Sequence, residues 1–334
     1  MPVPRYLQMC LSVTCAYHVV SRCVRRGFLF GKHGGKDYSH RRDWVVAMLT
    51  KLEAVFAIDV AAYAIMSNHY HLVLIVRPEI AESWSDREVV ERWRRLCKGD
   101  VLGKRFIKGK PLSDDEQKIL NKRIADWRKR LANISWFMSR LNETLARMAN
   151  KEDGCTGRFW EGRFKSYGII TEGGFAGTMS YVDLNPIRAG MAKSIEDSRY
   201  TSVHQRFMEK RGKRLTFKID DEVVEAPRLV PLGDENESIP MVMTEEQYLE
   251  LVDETGRCIY PDKKGYIKPS QPKILEQLKA YRITPENWVE LCKNMEGVFR
   301  QFVGDYDSIK EASATLKTKS LHGLRAARKF FSSG

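Results

Sequence analysis

The sequence predicts an α+β protein in which an antiparallel sheet carries helices on one face and a mainly helical part follows. In the first 206 residues, short runs of β-branched and aromatic residues alternate with longer stretches whose apolar residues lie three and four apart. A change in composition after about residue 207 predicts the C-terminal part. The chain has 334 residues, of which 43% are hydrophobic, so it can form one large domain or two ordinary ones.

The first elements follow a strand–helix–strand–strand order. Val13–Val24 is rich in β-branched residues and predicts a strand. Apolar residues at helical spacing then predict an amphipathic helix over about residues 45–56. Ile58–Met66 and His69–Val76 predict two strands joined by the tight turn Ser67-Asn68.

A second helix–strand pair follows a long intervening stretch. Residues 85–97 predict a capped helix, and the polar, lysine-rich residues 99–120 predict an inserted or mobile loop. Residues 131–148 predict a long helix, Ser166–Ile170 a fourth strand, and Thr171 the start of another helix. We therefore expect a domain over residues 1–206 with an insertion at about 80–130.

Residues 207–334 predict a separate, mainly helical domain to which the sequence assigns no role. Its first part is acidic, with a capping box at Thr244-Glu245-Glu246-Gln247. Further helices are predicted at 284–295, 307–316 and 319–331. The acidic stretch can pack on the basic N-terminal half or form a solvated surface, and the second is the default expectation.

Charge and cysteine content narrow the classes of partner. The formal net charge of +13 favours a polyanionic partner. A helix that spans a membrane needs about 18 consecutive apolar residues, and no run in the sequence approaches that length. Nucleic acid is therefore favoured over a membrane as the partner. Seven cysteines without a CxxC pair, and no clean signal peptide, indicate reduced thiols in a cytoplasmic protein and argue against a zinc ribbon.

The histidines of His69-Tyr70-His71 are candidate metal ligands. Side chains at i and i+2 of a strand point to the same side, so both imidazoles share one face and Tyr70 lies on the other. Neighbouring neutral imidazoles suit a divalent cation. Taken alone, the pattern fits a hydrogen-bonded pair without a metal at least as well.

Tyr181 and Asn185 supply what two histidines lack. They lie four apart on a predicted helix, hence on one face. If that helix packs beside the strand, Asn185 offers an amide oxygen as a third ligand for Mg²⁺ or Mn²⁺. Tyr181 then points its hydroxyl at a phosphate held by the ion, as a nucleophile for breaking and rejoining DNA strands.

Basic and aromatic residues interleave in Gly157–Ser166. Cations here can neutralise phosphates, and rings can stack on unpaired bases. The alternative is an ordinary edge strand with exposed cations. The residues concerned are Arg158, Phe159, Trp160, Arg163 and Lys165.

Four motifs in this order resemble the single-tyrosine HUH (His-hydrophobic-His) transposases, specifically the REP-associated tyrosine transposases, which are insertion-sequence 200-like. They are Tyr17-His18 through Arg22, Ser67-Asn68-His69-Tyr70-His71-Leu72, Gly157–Ser166, and Tyr181-Val182-Asp183-Leu184-Asn185-Pro186-Ile187-Arg188-Ala189-Gly190. The resemblance covers about residues 13–205. The polar Tyr70 and the long stretch at about 80–130 depart from the family pattern, and the C-terminal part lies outside it.

The resemblance implies a ferredoxin-like β-α-β-β-α-β core and single-stranded DNA substrates with hairpins or palindromic repeats. It also implies a 5′-phosphotyrosine intermediate, with His69, His71 and Asn185 as metal ligands and Tyr181 as nucleophile. We also expect Arg22, Arg25 and Arg188 to contact DNA, and His18 to be structural or DNA-contacting. Such a protein acts at the nucleoid in the bacterial cytoplasm, as a monomer or a homodimer.

Three other readings stay open. A relaxase-like or Rep-like nickase shares the chemistry, but its His-x-His usually follows the tyrosine. A non-catalytic regulator derived from a transposase would bind DNA or RNA hairpins without cleaving them. A basic RNA-binding protein with incidental histidines is the third.

Overall fold

The computed structural model describes residues 8–233, 241, 243–259, 278–317 and 323–331. The elements up to residue 152 are β1 (Ala16–Arg22), β2 (Lys32–His33), β3 (Lys36–Asp37), α1 (Arg41–Glu53), β4 (Ile58–Ile65), β5 (His69–Val76), α2 (Pro78–Ser83), α3 (Asp86–Leu96), α4 (Val101–Ile107), α5 (Asp114–Leu131) and α6 (Ile134–Glu152). None of the described helices is both long and apolar enough to cross a membrane.

The second half begins with a strand and is mainly helical. Its elements are β6 (Lys165–Ile169), α7 (Glu172–Asp183), α8 (Asn185–Arg188), α9 (Ser202–Lys210), β7 (Thr216–Ile219), β8 (Glu222–Glu225), α10 (Glu245–Ile259), α11 (Pro285–Val298), β9 (Phe302–Val303), α12 (Tyr306–Thr315) and α13 (Leu324–Phe330). Of the last helix predicted from the sequence, residues 319–322 lie outside the described residues.

The central sheet has five strands in the order β4-β5-β1-β6-β9. Neighbours among the first four strands are antiparallel, and β9 joins β6 in parallel. With α1 between β1 and β4 and α6 before β6, the first four strands have the ferredoxin-like β-α-β-β-α-β arrangement. The α+β fold class predicted from the sequence is confirmed.

One face of the sheet packs against α1 and α6. Strand side chains alternate between faces, so Tyr17 and Leu72 point to this side. They share a hydrophobic core with Val45 of α1 and Phe137 of α6, all fully buried. The apolar spacing in both helices places one stripe against the strands.

The other face is also covered by helices, which corrects the expectation of helices on one face only. All of β5 except His69 is buried, as a strand covered on both sides requires. Val73 packs here with Phe175 of α7, Tyr248 of α10 and Trp288 of α11. The sequence pattern of the C-terminal helices showed their apolar stripes but not the surface that these stripes would cover.

The C-terminal helices share this second core with the N-terminal half. The indole nitrogen of Trp288 donates to Thr255 Oγ1 at 2.9 Å inside it. Arg206 Nη1 pairs with Glu245 Oε2 at 2.7 Å, so at Glu245 the acidic stretch packs on a basic residue of the N-terminal half and is not only a solvated surface. The division into domains at residues 206 and 207 stays a prediction.

The inserted stretch is more ordered than the sequence predicted. Residues 99–120, expected to be a loop, contain α4 and the start of α5. Ser113 and Glu116 form a reciprocal capping box at the start of α5, which lowers the cost of starting that helix. Ile124 and Trp127 are buried, so the helix has an apolar stripe that the surrounding lysines concealed.

Residues 200–230 run along the outer side of β4. The backbone N–H of Ile65 donates to Tyr200 O at 2.9 Å, and the N–H of Val230 donates to Val60 O at 3.1 Å. This segment therefore takes up backbone groups of β4 that face away from β5.

Candidate functional site

His69 and His71 lie at the start of β5 with their rings close together. The ring centroids are 4.8 Å apart and the rings meet edge to face. His71 is 1% exposed and His69 is half-buried. Tyr70 lies in the opposite core, where its hydroxyl donates to Asn142 Oδ1 at 2.6 Å. The alternation of a strand therefore places all three residues as expected.

His18 is a neighbour of His71 that the sequence did not assign to this site. Its Nε2 lies 2.9 Å from His71 Nδ1, and the nearly parallel rings have centroids 5.2 Å apart. The cause is the strand register, which pairs Val20 with His71 and so places His18 diagonally across from it. The sequence contained one local indication that His18 is buried: it lies on the same face of its strand as the apolar Val20.

Glu296 reaches the same point from the C-terminal helix α11. Its Oε1 lies 3.1 Å from His71 Nδ1 and 4.0 Å from His18 Nε2, and its side chain is 16% exposed. It lies more than 200 residues from these histidines in the sequence, and no local pattern marks it. Only the packing of α11 on the sheet places it here.

Burial determines the charge state of the three histidines. Desolvation, with a smaller contribution from His71, lowers the pKa of His69 to about 2 and that of His18 to about 3. Desolvation also lowers the pKa of His71. All three imidazoles are therefore neutral near pH 7, which is the form that binds metals. Burial opposes the charge on Glu296, but its contacts with the histidines outweigh that effect and lower its pKa.

Tyr181 lies on α7 next to these histidines. Its ring centroid is 6.0 Å from that of His18 and 5.9 Å from that of His71. The Arg188 guanidinium lies over the ring, 3.9 Å from the centroid. Burial raises the pKa of Tyr181 to about 12, against the opposing effects of Arg188 and Arg22. The phenol is thus protonated at neutral pH, and only 6% of the residue is exposed.

Asn185 is close to Tyr181 in the chain but begins a new helix. Helix α7 ends at Asp183 and Asn185 is the first residue of α8, so the two predicted site residues are not on one continuous helix. The Asn185 side-chain oxygen accepts from Arg188 Nη2 at 2.8 Å. Its Nδ2 is buried and has no partner among the described residues.

Two aromatic residues of the basic-aromatic segment, Phe159 and Trp160, pack against other parts of the protein. Phe159 is 4% exposed and belongs to the core that covers the first face of the sheet. Trp160 is half-buried, and its indole nitrogen donates to Asn142 O at 2.9 Å. Both rings contact Phe30. Core packing uses the Phe159 ring, whereas base stacking by Phe159 and Trp160 stays a prediction.

The predicted DNA-contacting cations are in two environments. Four of them are exposed, namely Arg25, Arg158, Arg163 and Lys165. Arg22 is half-buried at the end of β1. Arg188 is half-buried as well, and its Nη1 donates to Cys292 O at 2.8 Å.

The histidines fit a divalent cation better than Asn185 does. His18 Nδ1 and His71 Nε2 are buried without a partner among the described residues, and both rings are neutral. The Asn185 oxygen, in contrast, is already hydrogen-bonded to a guanidinium, whose positive charge opposes a second cation. Together the residues place neutral imidazoles, a phenol and a half-buried arginine at one point beneath α11.

Comparisons with known proteins add little. No family model matches the chain, and no curated protein matches it either. A solved structure of a REP-associated tyrosine transposase bound to a REP hairpin is similar, with 13% sequence identity and a TM-score of 0.36. The similarity covers 69% of this chain and 99% of that one. A similarity this low establishes neither the family nor the function of this protein.

Proposed function

We propose that this protein is a transposase or single-strand DNA endonuclease that cleaves and rejoins DNA at hairpin or palindromic elements. The observation that carries the proposal is the position of Tyr181, whose ring centroid lies 5.9 Å from that of His71 on the same side of the sheet. The four sequence motifs that resemble REP-associated tyrosine transposases support it. A phenol oxygen is a competent nucleophile at phosphorus, and the Arg188 guanidinium over the Tyr181 ring favours its ionised form.

The reaction is a transesterification at phosphorus. The Tyr181 oxygen attacks the phosphate and its proton passes to water, and the bond from phosphorus to the 3′ oxygen breaks. The 3′ oxygen takes up a proton, which leaves a free 3′-OH and a 5′-phosphotyrosine. Attack by a 3′-OH on the phosphotyrosine reverses the step and rejoins a strand.

Nearby cations assist the phosphate. Arg188 lies against the Tyr181 ring, where its charge favours the phenolate and the transition state. The exposed Arg25, Arg158, Arg163 and Lys165 position the single strand through its phosphates. From the sequence, His69, His71 and Asn185 are the expected ligands of Mg²⁺ or Mn²⁺. An ion held by the histidines beside Tyr181 would polarise a phosphate oxygen.

The nucleophile is tested by trapping the covalent intermediate. Wild-type protein incubated with Mn²⁺ and single-stranded hairpin oligonucleotides should give an adduct that survives a denaturing gel. Tyr181→Phe should abolish the adduct and leave hairpin affinity within about twofold, because only the attacking oxygen is removed.

Tyr167→Phe is the matched control. Tyr167 is also 6% exposed, and its ring lies 5.4 Å from that of His18. This variant should keep the adduct. An adduct that persists in Tyr181→Phe, or that disappears only in Tyr167→Phe or Tyr70→Phe, would refute the assignment.

A non-catalytic hairpin-binding regulator is the second candidate. The low exposure of Tyr181, with Arg188 against its ring and α11 above the histidines, favours it. A regulator would bind hairpins without forming an adduct in the wild type, and Tyr181→Phe would change nothing. The same gel and binding measurements therefore separate the two functions.

A further inference from the structure

Three potential ligand atoms converge from three separate elements. They are His18 Nε2 of β1, His71 Nδ1 of β5 and Glu296 Oε1 of α11. Their separations are 2.9 Å between the two nitrogens, 3.1 Å from His71 to Glu296, and 4.0 Å from His18 to Glu296. A triangle with these sides has a centre about 2.0 Å from each corner. Bonds from divalent metals to imidazole nitrogen and carboxylate oxygen are about 2.0–2.2 Å long.

The imidazole N–H groups are too few to give all three atoms a hydrogen bond. Each neutral imidazole carries one N–H. A single proton joins His18 Nε2 to His71 Nδ1, and it cannot also serve the carboxylate. Glu296 Oε1 is buried and makes no aligned hydrogen bond to any described residue. A cation at the centre would satisfy the lone pairs of all three atoms and neutralise the carboxylate charge.

The carboxylate is a better oxygen ligand here than the Asn185 amide. Glu296 carries a negative charge, whereas the Asn185 oxygen is neutral and accepts from Arg188 at 2.8 Å. Using Asn185 would place the cation next to that guanidinium. Two imidazoles also favour a transition cation such as Mn²⁺ over Mg²⁺, which prefers oxygen ligands.

We propose that His18, His71 and Glu296 form a site for one divalent transition cation, with Glu296 of the C-terminal part as its oxygen ligand. The catalytic role of the ion rests on the proposed function, whereas the binding of the ion does not. Relative to the ligand set expected from the sequence, the proposed site keeps His71 and replaces His69 and Asn185 by His18 and Glu296. The sequence treated His18 as structural or DNA-contacting. The C-terminal part thereby gains a role in the site.

Metal binding without DNA tests the ligand set. Protein freed of metal by chelation is titrated with Mn²⁺, and free Mn²⁺ is followed by its electron paramagnetic resonance signal. Wild type should bind one ion. Glu296→Gln and His18→Gln should each weaken binding at least about tenfold, since each removes one ligand of three.

Two variants serve as controls for the oxygen ligand. Glu290→Gln neutralises another glutamate of α11, whose carboxylate lies 3.9 Å from Lys329 Nζ, and it should bind Mn²⁺ like wild type. Asn185→Ala should also retain binding within about threefold. Wild-type affinity in Glu296→Gln, or a loss in Asn185→Ala as large as that expected for Glu296→Gln, would overturn the proposal.

Pulsed electron paramagnetic resonance of the wild-type protein gives a test that does not depend on variants folding. Bound Mn²⁺ should show magnetic coupling to nitrogen nuclei of two imidazoles. No nitrogen coupling, or no Mn²⁺ binding by wild type, refutes the site. Because these measurements contain no DNA, a bound ion without a tyrosine adduct would refute the proposed function and leave the metal site standing. A tyrosine adduct in the wild type, together with normal Mn²⁺ binding by Glu296→Gln, would refute the metal site and leave the proposed function standing.

Discussion

At the scale of single residues, the buried carboxylate of Asp183 joins three helices. Its Oδ1 accepts from the Ser202 hydroxyl and from the Val203 backbone N–H at 2.9 Å, and its Oδ2 accepts from the Tyr248 hydroxyl at 2.6 Å. Burial raises the pKa of Asp183 to about 6, although these hydrogen bonds oppose the shift. The residue therefore takes up a proton in the folded state at a pH where the unfolded chain does not.

Asp183→Asn should remove a pH dependence of stability. Between its ordinary pKa of 3.8 and about 6, the folded protein binds more protons at Asp183 than the unfolded chain. The wild-type free energy of unfolding should therefore fall relative to Asp183→Asn as pH rises, by about 1 kcal/mol between pH 5 and pH 7.5. Urea denaturation of both proteins across this range measures the difference.

The exposed Asp221 provides the comparison. Asp221→Asn should follow wild type at every pH in the same urea series. If Asp183→Asn also runs parallel to wild type, the Asp183 carboxylate does not titrate in this range.

Sequence reasoning identified only part of the candidate site. His69 and His71 could be placed on one face because the strand period is local, and Tyr181 could be placed near a helix end by its neighbouring Asn-Pro. His18 depends on the register between two strands, which no local pattern fixes. Glu296 depends on where a distant helix docks, which its own apolar stripe does not reveal.

At the scale of elements, the approach of α7 to β9 requires a residue without a side chain. A Cβ on Gly174 would lie 2.8 Å from the backbone oxygen of Val303 and 3.0 Å from Thr171 Oγ1. Val303 is held in the sheet by its pairing with Ile169 of β6. The first turn of α7 therefore rests directly on backbone that cannot easily move.

Gly174→Ala should destabilise the protein. The added methyl group must displace either α7 or β9, at a cost of about 1–3 kcal/mol in the free energy of unfolding. Thermal and urea denaturation measure the loss.

Gly297 of α11 is the matched control, because a Cβ there meets nothing within 4 Å. Gly297→Ala should leave stability unchanged or raise it by up to about 1 kcal/mol through helix propensity. Equal stabilities for Gly174→Ala and wild type would mean that α7 and β9 are not in tight contact.

At the scale of the whole molecule, the sheet separates two hydrophobic cores. The first is built almost entirely from residues before 230, and its helices were largely predicted from periodicity. The second combines Phe175 and Met179 of α7 with Tyr248, Trp288 and Leu291 from the C-terminal part. The sequence predicted these helices separately but gave no physical reason to join them, since apolar stripes do not specify their partners.

A fragment of residues 1–206 should not fold as the full chain does. Without α10 and α11, the apolar side of α7 and the second face of the sheet would lose their cover. We expect this fragment to show no cooperative thermal transition and to bind a hydrophobic dye, while the full chain melts cooperatively under the same conditions. A sharp transition in the fragment at the temperature of the full chain would support two independent domains.

The hydrogen bonds along the outer side of β4 limit how copies of this chain can associate. Exposed edge strands pair readily with other chains, because their free N–H and C=O groups form a template. At one end of the sheet, residues 200–230 occupy such groups of β4, and at the other end β9 spans only Phe302–Val303. A homodimer in which the sheet continues from one protomer into the next therefore lacks a suitable edge in the described part of the chain. Within the described residues, a dimer therefore has to use surfaces other than the edges of the central sheet.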